Sequence, residues 1–87
     1  MARISIDNGN TFFGPDELDD FFWTVNVRIA EHPHSYGNTY GSIWCNIVNM
    51  MDDEIREKAH AEIDPDHDDQ SFLRRYLELS PEDLIIG

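Results

Sequence analysis

Apolar and polar positions change their spacing several times along the chain, and each change marks an element. "RISI" at 3–6 alternates polar and apolar side chains, and "TFF" at 11–13 resumes strand-forming residues beyond Asn8-Gly9. Asn-Gly between two such runs is a strong short hairpin signal, because a type I′ turn needs positive φ at both central residues. Residues 3–13 are therefore expected to form a β-hairpin. "GPDELDD" then opens a helix: Pro15 suits a first turn, and the acids after it complement the positive end of the helix dipole. Leu18, Phe21, Phe22, Val25 and Ile29 follow at spacings of three and four, making one apolar stripe that should end near His32, before Pro33.

"HPHSYGNTYG" at 32–41 reads as a loop, with two glycines, a proline and polar residues. From Ser42 a helical stripe returns through Ile43, Trp44, Ile47, Val48 and Met51. Asp52 reads as the N-cap of a short helix that turns Ile55, Ala59 and Ile63 inward, although one long helix across both segments fits the pattern too. Pro65 ends that helix. Asp68 or Asp69 caps the next, whose apolar face is Phe72, Leu73, Tyr76 and Leu77. "PEDL" is a turn, and "LIIG" at 84–87 reads as a terminal strand. The expected product is one α+β domain spanning 1–87. In it the N-terminal hairpin and the C-terminal strand form a small antiparallel sheet, with three to four helices packed on one face.

Charge adds what periodicity cannot. Eighteen Asp and Glu stand against six Lys and Arg, a net charge of −12 on 87 residues. That balance argues against direct nucleic-acid binding and against anionic membranes, which both need a positive surface. It favours a basic protein partner met by electrostatic steering. No signal peptide is visible at the start, no run approaches a membrane span, and the lone Cys45 excludes an internal disulfide, so a cytoplasmic protein of a bacterial cell is expected.

The acids come in clusters: Asp16, Glu17, Asp19 and Asp20 in the first helix; Asp52, Asp53, Glu54 and Glu57 in the third; Asp64, Asp66, Asp68 and Asp69 in "DPDHDD". Helix N-termini attract one or two carboxylates each, so part of every cluster is capping and part is surplus. The surplus is read as an acidic binding face. Trp23, off the main stripe, and Tyr36 and Tyr40 in the polar loop supply the aromatic component that an interface with an acidic rim would need.

Other chemistry finds less support. Asp64, Asp66 and Asp68 occupy the first, third and fifth places of a calcium loop, but Asp69 stands where glycine is required and Arg75 where the bidentate Glu belongs. His60 and His67 beside those acids leave a small metal-binding regulator as an alternative, though no closed zinc spacing is present. Cys45 falls beside Trp44 and Ile47 and is expected to be buried and inert. With no phosphate loop, nucleophile elbow or Rossmann fingerprint, and no pair of acids singled out, a non-enzymatic protein without a cofactor is expected.

"ISIDNGNTF" with "PDEL", "MDDEIREKAHAEI" and above all "RYLELSPEDLIIG" resemble a group of small acidic proteins encoded by bacteria and their mobile elements. The middle segment "HPHSYGNTYGSIW" departs from that pattern as an elaborated connection. By size and charge alone the chain is also similar to anti-CRISPR and antirestriction inhibitors that imitate DNA. That likeness implies a phage or mobile-element inhibitor occupying a basic nucleic-acid-binding surface, such as that of a CRISPR-Cas effector. The alternative from a different class is an acidic homo-oligomeric or accessory interaction module, whose charge serves solubility only.

Overall fold

In a computed structural model, which describes residues 1–86, helices account for most of the chain. A 3₁₀ turn at Pro15–Glu17 leads into α1 (Leu18–Glu31); α2 (Tyr40–Met50), α3 (Asp53–Glu62) and α4 (Asp69–Leu79) follow. Two very short strands, β1 (Ile4–Ser5) and β2 (Leu84–Ile85), lie at the two ends of the chain.

The expected antiparallel sheet does not form. β1 and β2 pair in parallel, Ile4 opposite Leu84 and Ser5 opposite Ile85, and the N-terminal hairpin shrinks to one antiparallel bridge between Ile4 and Phe13. The turn chemistry itself is present: Asn8 and Gly9 adopt φ of 59° and 88°. What stops the ladder is competition for its donor and its acceptor. The Asp7 carboxylate accepts from the Thr11 amide at 2.8 Å, and the Ile6 carbonyl opposite it accepts from the Arg28 guanidinium at 2.7 Å. Groups satisfied outside the ladder are lost to the strands.

Strand direction is set from the other end of the chain. The Ala2 amide donates to the Leu77 carbonyl, and the Arg3 amide donates to the Asp83 carboxylate, so residues 2–5 run alongside 77–85 in the same sense. Four intervening helices supply the crossover that a parallel pair requires. Gly87, the last residue of the expected strand, lies outside the described residues.

Helix bounds follow their caps. The Thr39 hydroxyl accepts from the Ser42 amide and starts α2 two residues earlier than the apolar pattern alone suggests. Asp52 caps α3 through the Ile55 amide, which separates α2 from α3. Asp68, not Asp69, caps α4, accepting from the Ser71 amide at 2.8 Å. The core gathers Ile4 and Ile6, Leu18, Phe21 and Val25 of α1, Ile43 and Ile47 of α2, and Phe72, Leu73, Tyr76 and Leu77 of α4. Burying each such side chain is worth about 1.5–3 kcal/mol. No helix among the described residues is long and apolar enough to cross a membrane.

Candidate functional site

The start of α1 and the start of α4 meet, and their acids meet with them. Gln70, in the first turn of α4, donates its side-chain amide to Asp19 of α1 at 2.7 Å. From α2, the Tyr40 hydroxyl donates to the Asp69 carboxylate at 2.5 Å. Tyr40 packs its ring near Phe22, with centroids 6.4 Å apart. Phe22, Tyr40, Asp68, Asp69 and Gln70 line a shallow depression of about 250 Å³ between the three helices. Burial first, then donation to Asp69 and the negative charge of Asp69 and Asp68, push the Tyr40 phenol well above its ordinary range. Hydrogen bonds from the Ser71 amide and hydroxyl hold Asp68 below the usual carboxylate range.

Ion pairs reach only a minority of the acids. Arg56 pairs with Asp53 at 2.9 Å, Arg75 with Glu62 at 2.9 Å and with Glu78 at 3.7 Å, and Arg3 with Asp83 at 3.5 Å. Asp16, Asp19, Asp20, Asp64, Asp66, Asp68 and Asp69 form no ion pair among the described residues. All seven are exposed or half-exposed. Glu17 is occupied otherwise, accepting from the Gly14 amide at 3.1 Å ahead of α1.

The remaining expected site residues lie elsewhere. Asp52, Asp53, Glu54 and Glu57 belong to the start of α3, beside the end of α4, where the Asp52 amide donates to the Tyr76 hydroxyl at 2.8 Å. Tyr76 lies six residues along α4 from Gln70, ~9 Å of helix rise from the Gln70–Asp19 contact. Tyr36 is fully exposed beyond the C-terminal end of α1, beside Arg28, His32 and Asn38, and so does not join Tyr40. Trp23 is 68% exposed on α1, one turn beyond Asp19 and Asp20.

Two expectations about reactive side chains need separate comment. Cys45 is exposed, not buried: the seam of α2 runs through Ile43, Ile47 and Met51, and Cys45 turns past Trp44 toward solvent, where Asn49 donates to its Sγ at 3.7 Å. His60 stacks on Phe72 with ring centroids 4.2 Å apart, and His67 meets His60 edge-on at 5.4 Å. Both imidazoles thus extend the aromatic packing over α4. Among the described residues no three His, Cys, Asp or Glu side chains converge as a metal site.

Sequence reasoning missed Gln70, the residue that joins two acidic clusters, and Asn38, which is buried and donates to the Arg28 and His32 carbonyls at 3.0 and 2.8 Å. No periodic pattern marks either one, since both act across the tertiary structure. Comparisons with protein families, with curated proteins and with solved structures found no match to this chain.

Proposed function

We propose that this protein is a non-enzymatic inhibitor that presents the carboxylates at the α1–α4 junction to a basic, nucleic-acid-binding protein surface. The observation that carries this reading is the meeting of two acid-bearing helix starts, where Gln70 of α4 reaches Asp19 of α1 and Tyr40 reaches Asp69. The acids at the start of α1, in the α3–α4 loop and at the start of α4 form no ion pair among the described residues and are free to meet a basic partner. Duplex DNA offers one negative charge per ~1.7 Å of axis to channels lined with Lys and Arg, and clustered carboxylates compete for the same cations. A bacterial defence nuclease of the CRISPR-Cas type is the context that size and charge favour.

The proposed face takes Asp16, Asp19, Asp20, Asp64, Asp66, Asp68, Asp69, Trp23 and Tyr40, and leaves out Glu17, which accepts from the Gly14 amide, the α3 cluster, which lies toward the other end of α4, and Tyr36, which lies beyond the C-terminal end of α1. The test is competition. The protein should displace duplex DNA from the basic cleft of a guide-RNA nuclease at low salt, and lose that ability steeply as salt rises. A variant carrying Asp16→Asn, Asp20→Asn and Asp66→Asn, which spares every capping carboxylate, should fail to compete. Competition that ignores both salt and these substitutions would refute the reading.

A further inference from the structure

We infer that Trp23, with Asp19 and Asp20 one turn ahead of it, forms a seat for an arginine side chain of a basic partner protein. This rests on the acidic-face reading above and specifies its anchor. Phe13, Phe21, Phe22, Tyr40, Trp44 and Phe72 are linked by ring contacts through the interior, whereas Trp23 has no aromatic neighbour among the described residues and is 68% exposed. At spacings of four and three residues, Asp19 and Asp20 share a face of α1 with Trp23, on the turn toward which helical side chains tilt. Gln70 holds one oxygen of Asp19. The Asp20 carboxylate forms no hydrogen bond or ion pair among the described residues, its backbone carbonyl alone accepting from the Thr24 hydroxyl at 2.8 Å.

The molecule already contains this arrangement with its arginine in place. The Arg3 guanidinium lies over the Phe12 ring, 4.5 Å from the centroid, and pairs with Asp83 at 3.5 Å. An aromatic face and a carboxylate together satisfy the flat side and the fork of a guanidinium. Trp23 with Asp19 and Asp20 offers a stronger ring and two carboxylates, with no cation on them among the described residues. Arg28, the one basic residue of α1, is turned away to the Ile6 carbonyl at 2.7 Å.

Charge selects the occupant. A second copy of this chain would bring a net charge of −12 to the same face. An apolar partner would strip water from Asp19 and Asp20 and return no cation. A lysine would satisfy the carboxylates but stacks less well than the planar guanidinium.

The experiment measures binding of nona-arginine and nona-lysine peptides at low salt to the wild type, Trp23→Ala, Trp23→Phe and Asp19→Asn/Asp20→Asn. Nona-arginine should bind the wild type about two- to fivefold more tightly than nona-lysine, a preference no larger than a single exposed cation–π contact. Trp23→Ala should remove that preference while leaving nona-lysine affinity within about twofold, Trp23→Phe should keep part of it, and the double Asn variant should weaken both peptides. Equal affinities for the two peptides, or a preference that survives in Trp23→Ala, would overturn the arginine seat and leave the acidic-face reading standing. Failure of both peptides to bind the wild type would remove the acidic face with it. Sedimentation showing a wild-type dimer that Trp23→Ala dissolves would assign the indole to a second copy and overturn the proposal.

Discussion

The Tyr40 hydroxyl donates to the Asp69 carboxylate at 2.5 Å and so ties the first turn of α2 to the first turn of α4. Twenty-nine residues separate the two in sequence. The bond fixes one wall of the acidic junction, and it makes Tyr40 a structural member of that junction as well as a candidate contact.

Tyr40→Phe is expected to lower stability by about 1 kcal/mol, a hydrogen bond to a charged acceptor discounted for solvent exposure. The fold favours the protonated phenol, whose pKa is raised first by burial and then by Asp69. Its contribution is therefore whole below the unfolded value of about 10 and is lost as pH rises through the folded value. Alkaline titration followed by tyrosine absorbance should show a late-ionising tyrosine that Tyr40→Phe removes. Unchanged titration would count against the bond.

Acid should act through different groups. The Ser5 hydroxyl and then the Thr11 amide hold Asp7 below the usual carboxylate range, and the Ser71 amide and hydroxyl do the same for Asp68. Depressed values contribute stability above the unfolded pKa of about 3.9, and that stability is lost as pH falls through the folded values. Urea midpoints of the wild type and of Asp7→Asn/Asp68→Asn should converge as pH falls from about 5 toward 3. A constant gap would show that neither carboxylate is held by the fold.

Tyr76→Phe tests the joint between α2 and α3. The buried Tyr76 hydroxyl accepts from the Asp52 amide at 2.8 Å, where the chain turns from one helix into the next. Removing it leaves that amide without its partner, at a cost of about 1–2 kcal/mol in urea unfolding. A change under half of that would mean the amide finds water instead.

Salt should stabilise this protein. A net charge of −12, with three arginines in ion pairs among the described residues, leaves repulsion that counter-ions screen. Between about 0.05 and 0.5 M NaCl the Debye length falls severalfold. A gain on the order of 1 kcal/mol, about 4–8 °C in Tm for a domain of this size, is expected in thermal unfolding. A Tm that falls with salt would place more stability in the surface ion pairs than their exposure allows.

What the sequence determined by itself lies within a few residues of each signal. Asp52 and Asp68 cap helices because a short carboxylate reaches an amide three residues on, and Asn8-Gly9 takes positive φ because those residues tolerate it. The apolar stripe of α1 likewise states which face is buried. The tertiary structure alone decided the rest. Whether β2 runs parallel to β1 depends on Ala2 meeting Leu77 and Arg3 meeting Asp83, contacts between the chain's ends. Which acids share a face depends on Gln70 reaching Asp19 across 51 residues, and which are neutralised depends on where three arginines fall. A cap is a bond inside one turn and its partners are written side by side; a charge cluster gains a meaning only from the neighbours that folding brings to it.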